Sequence, residues 1–311
     1  MKMTNTVDII VAIFNDESKI GRFFSEFDVL RESLSSEYQL NLIFIDDGST
    51  DKSLQTLVHL KGNSSNILII ELSRNFGKDA ALTAGLMQST SDIAIPMDVD
   101  LQDPLTAVPL MLKSWNSGDV DVVLGVRIPS VGEKGIRRWA SRAYSRIFTF
   151  LTGISSEQNV GEFRLMSRVV VDAFKQFQES DRYIRGLFSW LGFRTSKIEF
   201  IREKSEVKSH FNFTRLFQLG IKGIVSFSAA PLRLALYIGL FGSLIGFALA
   251  LLILYLKISS EIVLPGYTST MLVIVIFSSL QLLVVGILGE YIGKILVEVK
   301  HRPLYLIRNK F

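Results

Sequence analysis

The chain has 311 residues, a formal net charge of +4, three histidines and no cysteine. With 48% hydrophobic residues it has the apolar surface that a disordered chain lacks, and the missing cysteines exclude a disulfide-stapled scaffold and any Cys-ligated zinc or iron–sulfur centre. A positive mean hydropathy of +0.33 beside 21% charged residues points to two regions of different character along the chain.

Residues 1–200 alternate short β-branched runs with helical spacing. Strands are predicted at Val7–Ile13, Leu40–Ile45, Ile67–Leu72, Ile93–Met97 and Val120–Val126, with helical stretches at Lys19–Leu34, Ser53–Leu60, Asp79–Gln88 and Leu105–Trp115. Near-continuous apolar strands separated by helices imply an α/β domain built on a mostly parallel sheet covered on both faces. Ligands of such sheets bind beyond the carboxyl ends of the strands. Polar groups follow each predicted strand: Phe14-Asn15-Asp16, Asp46-Asp47-Gly48-Ser49, Ser73-Arg74-Asn75-Phe76-Gly77-Lys78, Asp98-Val99-Asp100-Leu101-Gln102-Asp103 and finally Arg127. Carboxylates at neighbouring strand ends, with Arg and Lys beside them, suit a nucleotide diphosphate bridged by a divalent cation. Asp98 and Asp100 can share one ion if the chain leaves β geometry between them, with Gln102 as a third oxygen. Taken singly, each signal also has a plain structural reading: a turn with a helix cap, a chance Asp-x-Asp, solvated surface cations.

Other chemistries find no support. There is no P-loop and no G-x-G-x-x-G, and three histidines are too few for a His-rich metal site. His59 sits in a helical pattern and His301 beyond the last apolar run, which disfavours a Ser-His-Asp arrangement.

The stretch 211–227 interleaves Phe211, Phe213, Leu216 and Phe217 with Arg215 and Lys222, as expected of an amphipathic interfacial segment or of a helix packed on the α/β domain. Leu234–Leu256 and Ile262–Gly289 follow, both without charge and each long enough to cross a hydrocarbon core of roughly 30 Å. Basic residues precede the first run and follow the second, including Lys294, Lys300, Arg302, Arg308 and Lys310. The positive-inside rule then places both termini in the cytoplasm, and no basic-then-apolar leader at the N-terminus argues for export of the α/β part. The expected organisation is a catalytic α/β domain at 1–200, an interfacial segment at 201–231, a transmembrane hairpin at 232–292 and a basic cytoplasmic tail at 293–311. Gly239, Gly242, Gly246, Gly286, Gly289 and Gly293 offer close-approach faces on the two spans, although glycine is common in membrane helices.

With these residues in view, the chain resembles the family 2 glycosyltransferases with a GT-A catalytic domain, of the polyprenyl-phosphate type that includes dolichol-phosphate mannose synthases. It is most similar to the bactoprenol (undecaprenyl-phosphate) glucosyltransferases of bacterial O-antigen modification. The motifs that carry the resemblance are Asp46-Asp47-Gly48-Ser49, Ser73-Arg74-Asn75-Phe76-Gly77-Lys78, Asp98-Val99-Asp100-Leu101-Gln102-Asp103-Pro104, Gly161-Glu162-Phe163-Arg164, Gly289-Glu290-Tyr291 and Arg302-Pro303-Leu304-Tyr305. It implies an inverting transfer of one sugar, glucose from UDP-glucose first among the donors, to undecaprenyl phosphate at the bacterial inner membrane, by a homo-oligomer and without nucleic acid. It further implies nucleotide contacts from Ala12, Phe14, Asp16, Asp46, Asp47 and Asp98, and Mg2+ or Mn2+ on Asp98, Asp100 and Gln102. Asp100, Arg127 and Glu162 are the implied catalytic residues, Glu162 as a base or to orient the sugar. The acceptor phosphate falls to Arg127 with Arg137, Arg138, Lys208 and His210. The chain departs from the family pattern at Ala12 (usually Pro), Phe14 (Tyr), Asp16 (Glu), Glu162 (Asp) and His210, where a phosphate-meeting Lys is usual. Mannose, N-acetylglucosamine or aminoarabinose-type donors are the alternative reading, and a non-catalytic nucleotide-binding scaffold is the second. A processive polysaccharide synthase is disfavoured by having only two spans.

Overall fold

The computed structural model describes residues 5–62, 64–128, 146, 148–153, 160–179, 182, 184–201, 228–258 and 266–311. The chain divides into two compact units, one formed by residues 1–216 together with 302–311 and the other by 217–301.

The first unit is built on an eight-stranded sheet. Its strands are β1 (Asn5–Ile13), β2 (Tyr38–Asp46), β3 (Ile67–Leu72), β4 (Ile93–Asp98), β5 (Val122–Ile128), β6 (Val160–Ser167), β7 (Thr195–Ile201) and β8 (Ile307–Lys310), in the spatial order β7-β5-β6-β4-β1-β2-β3-β8. Helices α1 (Glu17–Leu34), α2 (Ser53–Lys61), α3 (Lys78–Gln88) and α4 (Val108–Asn116) connect the first five strands, α4 being entered through a 3-10 turn at Leu105–Ala107. Two further helices, α5 (Arg168–Lys175) and α6 (Ile184–Trp190), follow β6.

The five strands expected from the sequence are present, each within a few residues of its predicted ends. Both faces of β1 are buried, which is why its run reads as apolar rather than alternating. Val7, Ile9, Val11 and Ile13 join a core with Phe23 and Phe27 of α1 and with Leu40, Leu42 and Phe44 of β2. On the opposite face Ile10 meets α3, whose Ala80, Ala81, Ala84 and Gly85 are all buried. A methyl group on Gly85 would lie 2.3 Å from Ile10 Cγ2, so this glycine sets how close α3 can come to the sheet.

Strand direction decides where chemistry can gather. The pairs β1–β2, β1–β4 and β2–β3 are parallel. β6 runs antiparallel between β4 and β5, so β5 regains the direction of β4, and β7 is parallel to β5. The carboxyl ends of β1 to β5 therefore share one sheet edge with the amino end of β6. Ala12 is in register with Ile45 on one side and Asp98 on the other.

Ile307–Lys310 corrects one expectation. Within the segment read as a basic tail, these residues form a strand that pairs antiparallel with β3, matching Ile70 with Lys310, Glu71 with Asn309 and Leu72 with Ile307. Without β8 the edge of β3 would present unpaired backbone groups. Buried Glu71 gives the pairing its chemical specificity: it accepts from Asn309 Nδ2 at 2.6 Å and from Arg308 Nη1 at 3.3 Å.

In the second unit, α7 (Ala230–Ile258) and α8 (Tyr267–Val299) pack as a hairpin. Both are long and apolar enough to cross a membrane, with mean hydropathy 1.8 over Ala230–Leu249 and 2.2 over Val273–Val299. Leu236, Phe241, Leu282 and Ile292 are among the large apolar side chains they leave exposed. Tyr291 Oη donates to the Ser228 carbonyl at 2.7 Å. Of the six span glycines, Gly242 and Gly246 lie against Phe277, whereas among the described residues a methyl group on Gly239, Gly286, Gly289 or Gly293 would meet nothing within 4 Å beyond its own helix backbone. The interfacial segment 211–227 and the start of the second apolar run, 262–265, lie outside the described residues.

Asn309→Leu is expected to lower stability by about 1–3 kcal/mol, because it removes a bond to the buried Glu71 carboxylate without removing the charge. A melting curve in detergent that matches the parent would refute this role for β8.

Candidate functional site

The strand ends enclose a cavity of about 270 Å³, lined by Ala12, Ile13, Phe14, Asp16 and Lys19 from the β1–α1 side, Asp47 after β2, Asn75, Gly77 and Lys78 before and at the start of α3, and Asp98, Val99 and Asp100 at the end of β4. All of it lies within the first unit.

Short loops laced by side-chain bonds build its walls. Asn15 takes the left-handed conformation (φ 54°), and its Oδ1 accepts from the Thr50 amide at 2.8 Å. Ser49 Oγ accepts from the Asn15 amide and Ser53 Oγ from the Asp16 amide, both at 3.0 Å. Asp16 is ion-paired with Lys19. Gly48 adopts φ +69°, and a methyl group there would lie 2.5 Å from the Arg74 carbonyl carbon, so the turn after β2 rests directly on the backbone after β3. Beside it Asp47 accepts from the amides of Phe76 at 2.7 Å and Gly77 at 2.9 Å, immediately ahead of α3. Asp47 thus orders the loop that delivers Lys78. The Arg74 guanidinium stacks 4.0 Å from the centre of the Phe76 ring.

At the end of β4 the chain leaves β geometry as the sequence reading required: Leu101 has φ 56°, and Asp100 Oδ1 accepts from the Gln102 amide at 3.1 Å. Asp98 and Asp100 both line the cavity. Gln102 does not, although it follows them on the same turn. Lys78 Nζ is 2.5 Å from Asp98 Oδ1 and 3.1 Å from Glu162 Oε2, so one ammonium joins the end of β4 to the start of β6. Burial pulls the Lys78 ammonium toward deprotonation, but Asp98 and Glu162 outweigh it and hold the group above the usual lysine range.

Arg127, at the end of β5, is clamped by buried Asp103: Nε donates to Oδ1 at 3.0 Å and Nη2 to Oδ2 at 2.8 Å. A methyl group on Gly161 would lie 2.7 Å from Arg127 Nη2, which places the guanidinium over the backbone next to Glu162. The structure thus brings Ala12, Phe14, Asp16, Asp47, Asp98 and Asp100 to one cavity, ties Glu162 to it through Lys78, and sets Arg127 beside Glu162. Asp46, buried at the end of β2, is not among the residues that line the cavity. Arg137, Arg138, Lys208 and His210 lie outside the described residues.

Among the described residues no three His, Asp or Glu side chains gather as a ready cage for a metal ion. The donor set nevertheless fits a hard divalent cation, since Asp98 and Asp100 offer carboxylate oxygens toward the cavity and Asp98 already draws a positive charge to its Oδ1. Two partners escaped the sequence reading. The sequence reading sets Lys78 beside the strand-end carboxylates, with a solvated surface cation as the alternative, but spacing does not show which carboxylates it pairs with; its place at the first position of a helix, where the macrodipole disfavours a cation, is the one local signal of a partner. Asp103 was quoted within its motif, but its bond to Arg127 depends on strand order, which spacing does not reveal.

Comparison with known proteins shows the family of the chain. Residues 8–174 match the family described as Glycosyl transferase family 2. The chain is 35% identical over 308 residues to an uncharacterized glycosyltransferase of Synechocystis sp., covering 99% of this chain and 96% of that one. It is likewise 35% identical over 308 residues to the bactoprenol glucosyl transferase of Shigella phage SfV, covering 98% of each. Among solved structures the fold is similar to that of a mannosyltransferase from Pyrobaculum calidifontis in complex with GDP-Man and Mn2+, with a TM-score of 0.52 at 16% identity. That match covers 72% of this chain and 64%, just under two thirds, of the other.

The end of β2 carries an electrostatic burden. Asp46 is 1% exposed, and its Oδ1 has no hydrogen-bond partner within the described structure, while Oδ2 accepts a long 3.3 Å bond from the Ser49 amide. Burial pushes the proton affinity of Asp46 up, bonds from Ser49 offset part of this, and the neighbouring Glu71 and Asp47 add to it. Burial likewise raises Asp47 against the opposing pull of the Phe76 and Gly77 amides. Both acids hold their protons more tightly folded than unfolded. Their contribution therefore favours the fold as pH drops through the raised folded values, and the penalty is complete once both are ionised. Asp46→Asn is expected to raise stability at pH 7 by about 1–3 kcal/mol, with the gain shrinking as pH falls. Thermal melts of parent and variant between pH 4 and pH 8, at about equal ionic strength, check this; a variant less stable at every pH refutes it.

Proposed function

Since the chain belongs to glycosyl transferase family 2, we propose that it moves a single hexose from a nucleotide sugar to a polyprenyl phosphate at a membrane surface, with UDP-glucose and undecaprenyl phosphate as the first pair to test. The observation that carries this reading is the cavity at the sheet edge, where carboxylates from β4 and β6 meet around a cation. Support for the acceptor comes from full-length likeness to a protein named for bactoprenol, together with two helices of span length.

In this reading the donor lies along the carboxyl ends of β1, β2 and β4. Phe14 and Asp16 flank the base and ribose from one side, and the Asp47 turn from the other. Asp98 and Asp100 are the residues that would hold a divalent cation on the diphosphate, with Gln102 offering a third oxygen. The mannosyltransferase of similar fold was crystallised with Mn2+, which supports Mn2+ or Mg2+ here. Such a cation, when bound, supplies neutralisation of the charge that builds on the leaving diphosphate.

The acceptor needs little help from a base. A phosphate monoester is already largely ionised near neutral pH, its second pKa being about 6. Its oxygen attacks the anomeric carbon, the bond from that carbon to the nucleotide diphosphate breaks, and the diphosphate leaves with the electron pair, inverting the centre. The protein's task is to bring two anions together. Asp103 fixes the plane of Arg127, which then offers its other edge to phosphate, a geometry that suits guanidinium better than ammonium. Glu162, 6% exposed and ion-paired to Lys78, is better placed to orient the sugar than to take a proton. Arg137, Arg138, Lys208 and His210 are assigned to the acceptor phosphate by sequence.

The membrane arrangement follows from the acceptor, whose lipid tail stays in the bilayer while its phosphate meets a donor from water. Residues 302–311 belong to the same unit as residues 1–216, so a chain that crosses twice returns to the side it left. The basic residues flanking the helices assign that side to the cytoplasm.

Purified full-length protein with radiolabelled UDP-glucose and undecaprenyl phosphate is expected to form a glycolipid with Mg2+ or Mn2+ and none with EDTA. Asp98→Ala and Asp100→Ala should each lower kcat by about 100-fold or more. An Asp100→Ala enzyme as active as the parent would remove the cation assignment. Mass spectrometry of lipid products across UDP-glucose, UDP-N-acetylglucosamine and GDP-mannose identifies the sugar, and no product from any of them would reject the acceptor.

A further inference from the structure

Lys78 stands at the first position of α3, directly after Gly77. A cation there meets the positive end of the helix dipole, so local electrostatics disfavour it. Its side chain reaches away from the helix to two carboxylates that are far apart in sequence, Asp98 at 2.5 Å and Glu162 at 3.1 Å. Glu162 is buried, and a buried carboxylate without a cationic or hydrogen-bonding partner is costly. The same ammonium occupies Oδ1 of Asp98, a residue that lines the cavity and belongs to the candidate cation site.

We infer that Lys78 is a resident counter-ion of the donor site, which competes with the divalent cation for Asp98 and holds Glu162 in position. The inference rests on the assignment of the cation to Asp98 and Asp100. Two positive groups cannot both sit within contact of one carboxylate oxygen without strong repulsion. A divalent ion held by Asp98 and Asp100 would therefore compete with the ammonium for Oδ1. Glu162 remains as its partner, so occupancy of the cation site is coupled to the position of the residue that faces the sugar. Without cation, Lys78 keeps the two carboxylates from repelling each other. Lys78 acts here as a positioning residue, with its effect passing through Asp98 and Glu162.

The test is Mn2+ binding to the full-length protein in detergent, without donor, followed by electron paramagnetic resonance of the free ion. Lys78→Met removes the competing charge and is expected to bind Mn2+ about tenfold more tightly than the parent, while Lys78→Arg keeps the parent's affinity. A side chain that merely supports the fold would leave affinity unchanged or weaken it. Unchanged or weaker binding in Lys78→Met, with binding lost in Asp98→Asn, overturns the role of Lys78 alone. Binding retained in Asp98→Asn overturns the cation site, and this inference with it. A measurement on the parent protein does not depend on how the variants fold: Mn2+ should raise acylation of Lys78 several-fold, read by peptide mass spectrometry. No change in Lys78 labelling at saturating Mn2+ contradicts the displacement.

Discussion

One ammonium between two carboxylates organises the site. Lys78 closes the gap between the last residue of a parallel strand, Asp98, and the third residue of an antiparallel one, Glu162. Such a meeting needs the strand order β6-β4-β1 with β6 reversed, because only then does the amino end of one strand lie beside the carboxyl end of the other. It also needs the start of α3 at that edge, which Asp47 secures by accepting the two amides that precede Lys78. Removing the reversed strand would leave the carboxylates of β2 and β4 without their counterpart across the cleft.

The charges are held at a cost in stability. Asp46 keeps a buried, unpartnered oxygen beside Glu71 and Asp47, an arrangement that lowers the stability of the folded state at neutral pH. The apolar framework around β1 and β2, buried on both sheet faces, offsets that penalty. A fold selected for stability alone would place an amide or an apolar residue at position 46.

Much of this was legible in the chain. The strands read clearly because their apolar runs are short and β-branched, and the polar strand ends stood out because residues such as Asp46 and Asp98 directly follow apolar neighbours. Two-solvent character was legible too, since Leu234–Leu256 carries no charge. Strands β6, β7 and β8 were not. Val160–Ser167 contains Glu162 and Arg164, charged residues that are buried in the fold beside partners distant in sequence: Lys78 for the first, and the Phe188 ring 4.5 Å from the second. Ile307–Lys310 reads as a basic tail because its cations pair with Glu71 and Gln88, more than two hundred residues earlier. Arg308 and Lys310 thus leave Lys294, Lys300 and Arg302 as the cations following the second apolar run.

That last pairing constrains the site as well as the sheet. Closing β8 onto β3 spans more than two hundred residues, yet loop-closure entropy grows only slowly with length, so three residue pairs and the bonds to Glu71 can hold it. The contact continues past the strand: the Ser73 amide donates to the Leu306 carbonyl at 2.9 Å. Ser73 opens the loop through Arg74, Asn75 and Gly77 to Lys78, the loop whose far end Asp47 holds. The segment that delivers the ammonium is therefore anchored at both ends, by the C-terminal residues at Ser73 and by the β2 turn at Gly77. Fixing both ends limits how far Lys78 can stray from Asp98 and Glu162, and a lysine on an otherwise flexible stem gains the precision that bridging two buried or half-buried carboxylates requires.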